Sequence, residues 1–253
     1  MISTNINYNI FNYPLNKQIK IQKKNYNDWF NECGNNNVFI LEEYKGRKNS
    51  IWEYEVIEFF MKQLENKPDA TILDIGAQQG LYTLLAKFYP NTKWYSFEPF
   101  KFSYDLLNSN LAYEDISNVL TYNIGISNKI GEDTLYVPRG RGDRGGLNCI
   151  ANQNGRINLN NCDKIKIKTD TIDNLFLEKK VDFIKLDIEG FEYYALLGGL
   201  KTIKKYKPCI LTEYMPCNMK TCSVNQNQFD NFFKNLNYKF IQLDFGERFY
   251  YSL

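Results

Sequence analysis

Histidine is absent from all 253 residues. That absence removes Ser-His-Asp and Cys-His nucleophilic catalysis, His-ligated zinc and an imidazole general base. Any proton transfer must fall to Asp, Glu, Lys or Tyr. A strong charge of either sign is missing too, because 31 Lys and Arg stand against 29 Asp and Glu. The basic runs Lys164, Lys166, Lys168 and Lys201, Lys204, Lys205 have the spacing of solvated faces of a strand and a helix, so nucleic acid is not expected as a partner. No apolar run approaches the about 18 residues of a membrane helix. The segment from Met1 to Lys17 is polar and lacks the apolar stretch of a secretory signal. The expectation is a cytoplasmic protein without a membrane partner. The six cysteines are scattered, and Cys217 and Cys222 do not have zinc spacing, so reduced thiols are expected. Oligomeric state leaves no signal.

Residues 1–50 show no sustained period and read as an N-terminal extension, with apolar anchors at Trp29, Phe30 and Val38 to Leu41. Residues 51–253 read as one domain. Ile51, Val56, Phe59, Phe60 and Leu64 suit one helix face, stopped by Pro68. Strands and helices then alternate. Strands are expected at Ala70 to Ile75, Lys93 to Phe97, Asn118 to Ile124, Val181 to Leu186 and Pro208 to Thr212. Helices are expected at Leu81 to Tyr89, Phe102 to Leu111, Phe191 to Ile203 and Gln228 to Leu236. Repeated βα units predict a mostly parallel sheet covered on both faces. Tyr238 to Leu243 and Arg248 to Tyr251 are close enough for a hairpin, which makes one C-terminal strand antiparallel. An insertion at about 128–170 breaks the pattern. It has strand-like flanks at Thr134 to Val137 and Ile165 to Ile167 around a Gly/Arg-rich segment from Arg139 to Gly146.

The chemistry concentrates at strand ends. Ile72 to Gly80 is an apolar strand that runs into a glycine turn and a helix, the arrangement that lets backbone approach a ligand. Its glycines, Gly76 and Gly80, have three residues between them and do not follow the G-x-G-x-x-G of dinucleotide binders. Asp74 would repel a pyrophosphate and suits a cationic amino-acid group. Glu98, ending the second strand, is placed to hold ribose hydroxyls. Together they imply an adenosine with a cationic amino-acid tail, S-adenosylmethionine. A second cluster lies at Lys185, Asp187 and Glu189, with Glu213 ending the next strand. Lys185 interrupts an apolar strand and so needs a partner.

The segments Ile72 to Gly80, Ser96 to Pro99, Asn123 to Ser127 with Gly131, Thr171 to Asp173, Phe183 to Glu192 with Leu197 to Gly199, and Pro208 to Glu213 together resemble the FkbM-type methyltransferases. The resemblance runs from about Ile51 to Glu213 and implies a Rossmann-like class I methyltransferase fold with a seven-stranded sheet. It implies an S-adenosylmethionine-dependent O-methyltransferase acting on a hydroxyl of a sugar, nucleotide-sugar, glycan or related small molecule. Asp74, Gly76, Ala77 and Gly80 would then line the methionine end, Glu98 and Pro99 the ribose, and Ile126 the adenine, with Asp187 beside the cofactor.

With no histidine, Asp187 or Glu189 is the candidate base. Lys185 would orient the carboxylates, or act as base if burial depresses its pKa. A variant has Asp187 and Glu213 holding Mg²⁺. Arg141 and Arg144, with Arg139, are candidates for binding a phosphate or carboxylate of the acceptor. The rivals are a non-catalytic binding domain on the same fold and an NAD-dependent oxidoreductase.

Overall fold

The computed structural model describes residues 8–13, 17–22, 53–138 and 159–252. Strands β1 (Tyr8–Tyr13) and β2 (Lys17–Gln22) pair antiparallel within the N-terminal extension, where the sequence offered no period. The anchors expected at Trp29, Phe30 and Val38 to Leu41 lie outside the described residues.

Helix α1 (Tyr54–Glu65) follows, burying Val56, Ile57, Phe60, Met61 and Leu64 and ending before Pro68 as expected. Ile51 lies outside the described residues. Next come β3 (Thr71–Ile75), a 3₁₀ helix (Thr83–Phe88), β4 (Lys93–Phe97), α2 (Lys101–Tyr113) and β5 (Val119–Tyr122). A short strand β6 (Gly125–Ile126) precedes the insertion, which forms β7 (Gly131–Pro138) and β8 (Cys162–Asp170). The chain then continues through α3 (Ile172–Phe176), β9 (Phe183–Leu186), α4 (Glu192–Gly198), α5 (Leu200–Tyr206) and β10 (Cys209–Glu213). It closes with α6 (Pro216–Thr221), α7 (Gln226–Asn235), β11 (Tyr238–Gln242) and β12 (Glu247–Ser252).

The main sheet has the order β11-β12-β10-β9-β3-β4-β5. Neighbours from β10 to β5 are parallel, and β12 runs antiparallel to both β10 and β11. The chain builds outward from β3 to β5, then returns to place β9 on the other side of β3. The β3–β9 boundary is therefore the topological switch point, where such sheets open a crevice beyond the strand carboxyl ends.

Alternation sorts the strand side chains into two layers. Ile72, Trp94, Phe183, Leu211 and Phe249 face α1, the 3₁₀ helix and α2. Leu73, Ile75, Phe97, Ile184 and Leu186 face the other way, onto the later helices and the small three-stranded sheet β6-β8-β7. With both faces covered, the strands are mostly apolar, interrupted by single polar residues such as Asp74, Ser96 and Lys185.

Two local expectations need correction. The segment expected as a helix from Leu81 to Tyr89 winds as a short 3₁₀ helix, with Thr83 drawn in by a hydrogen bond to Asp74. The single helix expected from Phe191 to Ile203 is two, meeting at Gly198 and Gly199. A Cβ on Gly198 would stand 2.0 Å from the Ser127 carbonyl oxygen, and one on Gly199 would stand 2.9 Å from Ile172 Cδ1. The glycine pair lets the insertion and α3 press against this face, and the helix breaks there. Helices α3 and α6 are short and were not foreseen. Asp173 on α3 accepts the backbone N–H groups of Lys201 and Thr202 and so caps α5.

Candidate active site

The loops after β3 and β9 meet at the switch point. A Cβ on Gly76 (φ +83°) would lie 1.9 Å from the Asp187 carbonyl oxygen, so only glycine fits here. The N–H groups of Gly76 and Ala77 both donate to the Phe97 carbonyl, which ties this loop to the end of β4. Glu98 adds a second tie. Its Oε2 accepts from Gln78 N at 2.9 Å and its Oε1 from Phe100 N at 2.7 Å. Burial pushes Glu98 up to about 7 against the lowering effect of those two donors. Asn123 Nδ2 donates to the Glu98 and Pro99 carbonyls, fixing the same corner from β5.

A row of polar side chains crosses the sheet beneath this rim. Thr121, Ser96, Asp74 and Lys185 are successive partners in the β5, β4, β3 and β9 ladders and share one face. Thr83 Oγ donates to Asp74 Oδ2 at 2.6 Å and lies 2.7 Å from Ser96 Oγ. Asp74 Oδ1 is buried with no hydrogen-bond partner among the described residues. Burial raises the Asp74 pKa, while Lys185 and Thr83 pull it down. Asp74 is thus sealed under the loop. Its side chain is fully buried, so its charge acts on the site from below.

Lys185 is 4% exposed, and its Nζ stands 3.2 Å from Asp187 Oδ2. Burial alone would lower its pKa, but Asp187, Asp74, Glu53 and Glu247 outweigh burial and raise it. The reading of Lys185 as a base with a depressed pKa is therefore corrected: the side chain stays an ammonium. Asp187 is at the rim with its side chain 33% exposed. Glu189 and Glu213 are half-buried beside it. Asn218 on α6 donates from Nδ2 to Glu189 Oε2 at 3.2 Å and Glu213 Oε2 at 2.9 Å, holding the two carboxylates together. The loop is strained to do this. Glu189 has φ +57°, and a Cβ on Gly190 would meet the Asn218 carbonyl at 2.3 Å. Glu192 Oε1 accepts from Ile188 N and Gly190 N, and burial raises its pKa to about 7.

The structure thus brings Gly76, Glu98, Pro99, Lys185, Asp187, Glu189 and Glu213 to one edge. Four others of the expected residues are not exposed there, Asp74 among them. Ala77 and Gly80 are buried, Gly80 because it packs on Leu107 and Leu84. Ile126 pairs with Asp170 in the small sheet and is enclosed in the core; the partly exposed Asn123 and Ile124 occupy that end instead. Arg139, Arg141 and Arg144 lie outside the described residues. Four residues were missed: Asn218, Tyr82, Glu53 and Glu247. Glu53 and Glu247 are remote in sequence from the strand-end motifs; Tyr82 and Asn218 stand just beyond Gly80 and Glu213, and no spacing signal marks any of the four.

Among the described residues no group of three or more His, Cys, Asp or Glu is arranged to hold a metal ion. The two carboxylates of the Mg²⁺ variant are otherwise engaged, Asp187 by Lys185 and Glu213 by Asn218. Cys209 and Cys217 are free thiols. No described helix is long and apolar enough to cross a membrane.

A family model described as the methyltransferase FkbM domain matches residues 74–242. No curated protein matches the sequence. Among solved structures the chain is similar to methyltransferase FkbM from Methylobacillus flagellatus, with 18% identity and a TM-score of 0.47 over 73% of this chain and 44% of that one. It is similar to precorrin-6y C5,15-methyltransferase from Geobacter metallireducens, with 13% identity and a TM-score of 0.43 over 84% of this chain and 96% of that one. It is also similar to PKMT2 from Rickettsia typhi, solved in complex with AdoHcy, with 15% identity and a TM-score of 0.34 over 58% of this chain and 21% of that one. The chain thus spans less than half the length of the first and third of these.

Proposed function

The chain belongs to the FkbM methyltransferase family, and from that membership we propose that it moves the methyl group of S-adenosylmethionine to a hydroxyl of a sugar, nucleotide-sugar, glycan or related small molecule. The observation that carries the reading is the contact between Gly76 and Asp187, which puts a glycine turn and a half-exposed carboxylate on the same switch point. The donor set there suits a cationic ligand: Asp187, Glu189 and Glu213 are at the rim, Asp74 has an unpartnered oxygen behind them, and Lys185 is the one ammonium among them.

Gly76 to Gln79 would hold the amino-acid end of the cofactor. Each Glu98 oxygen keeps a second lone pair for a ribose hydroxyl. Bound there, the cofactor would supply an electrophilic methyl on a sulfonium. Asp187 accepts the proton of the attacking hydroxyl. Lys185 keeps that carboxylate pointed at the rim and remains charged. Glu189 and Glu213, clamped by Asn218, accept hydrogen bonds from the acceptor and align it. Arg141 and Arg144 would bind an acidic group of the acceptor, such as a diphosphate.

The test is a labelled-methyl transfer screen from S-adenosylmethionine to nucleotide-sugars and glycans, run with and without excess chelator. Label in a hydroxyl acceptor, undiminished by chelator, is expected. Label only in amines, or activity lost with chelator, contradicts the acceptor class or the metal-free proton transfer respectively.

A further inference from the structure

Tyr82 sits in the turn between Gly80 and the 3₁₀ helix, outside every strand-end motif, and is 2% exposed. Its hydroxyl donates to Glu53 Oε2 at 2.8 Å, and Glu53 is the N-cap residue of α1. Its ring lies under the Lys185 ammonium, with Nζ 4.7 Å from the centroid. Three contacts therefore run without a break from the start of α1 to the reaction rim, through Glu53, Tyr82, Lys185 and Asp187.

Lys185 has a choice of partners. The carboxylates of Asp187, Asp74, Glu53 and Glu247 all act on its charge, yet among the described residues only Asp187 is within ion-pair distance. A lysine stem has four rotatable bonds, so the field alone does not select one carboxylate. An aromatic face does. It attracts an ammonium without accepting a localised hydrogen bond, which leaves the N–H groups for Asp187. Burial and Glu53 hold the Tyr82 pKa well above its usual value, so this hydroxyl stays a donor.

We propose that Tyr82, anchored by Glu53, is a positioning residue whose ring directs the Lys185 ammonium onto Asp187. The part played by Asp187 in methyl transfer rests on the proposed function; the placement of Lys185 does not. The groups that bear on Asp187 from its packed neighbours are Lys185 on β9, Asp74 on β3, Tyr82 before the 3₁₀ helix, Glu192 on α4 and Glu247 on β12.

The test uses the full chain labelled with ¹⁵N-lysine. The Lys185 ammonium, identified by its absence in Lys185→Met, is expected to give a solvent-protected ¹H–¹⁵N signal shifted upfield by the ring. Tyr82→Phe keeps the ring and should keep that signal. Tyr82→Leu should lose it, and methyl transfer should fall by about 10²-fold, while Tyr82→Phe restores transfer. An unchanged Lys185 signal in Tyr82→Leu overturns the proposal, as does equal loss of transfer in both variants. Should Tyr82→Leu not fold, Glu53→Gln decides. It keeps an acceptor for the hydroxyl, so the Lys185 signal should persist, and its disappearance would assign the placement to the Glu53 charge. If the wild-type chain binds no S-adenosylmethionine, the methyltransferase reading fails, while the Lys185 signal still answers the question about Tyr82.

Discussion

The α-carbon of Gly76 is so close to the carbonyl oxygen of Asp187 that a methyl group on it would stand 1.9 Å from that oxygen. The loop thought to cradle the cofactor and the strand end thought to carry the base thus share one point of contact. Gly76→Ala must move one of them, and alanine is also strained at φ +83°. We expect a loss of at least about 2 kcal/mol of stability and no measurable cofactor binding. Thermal unfolding and cofactor titration of the variant check this; wild-type affinity would show that the two loops are not coupled.

Asp187→Asn should lower methyl transfer by about 10²- to 10⁴-fold and leave the protein folded, because the side chain is partly in solvent. Lys185→Met should do the same to transfer but also destabilise the fold, since it removes the cation that offsets Asp74 and Asp187. Urea unfolding alongside transfer assays separates the two. Equal stability of both variants would contradict the buried placement of Lys185.

Glu192 gives a pH prediction with a definite sign. Burial raises its folded pKa from 4.5 to about 7, so the native state holds the proton more tightly than the unfolded chain. Its contribution to stability is fully present below about pH 4.5 and is lost as pH rises through 7. Both backbone donors go to Oε1, so Glu192→Gln keeps them. The variant should gain up to about 3 kcal/mol relative to wild type above pH 7 and little at pH 4. Melting curves at the two pH values check it, and a parallel shift at both would refute it.

Charge reversal at Arg141 and Arg144 should raise the acceptor KM and leave cofactor affinity unchanged, as read by steady-state kinetics. Unchanged acceptor KM would discard a binding role for the Gly/Arg-rich segment.

Much of the architecture was legible because both faces of the central strands are covered. A strand such as Ile72 to Ile75 is then apolar but for Asp74 and ends abruptly at Gly76, so its limits and its functional end are visible together. The antiparallel last strand followed from the short link between Tyr238 to Leu243 and Arg248 to Tyr251.

What escaped notice depends on contacts between distant segments. Gly198 and Gly199 read as helix interior until Ser127 and Ile172 press on them. Asp74 and Ile126 occupy motif positions, yet a strand residue's face decides how deeply it is enclosed, and both are buried. Asn218 and Tyr82 carry no signal at all, because their roles arise from carboxylates and an ammonium supplied by other elements.

The most direct measurement is isothermal titration of the purified chain with S-adenosylmethionine, with NAD in parallel. Saturable one-to-one binding of S-adenosylmethionine, weakened in Asp187→Asn, and no heat with NAD is the predicted result. No binding of S-adenosylmethionine, or binding of NAD in its place, would contradict the account.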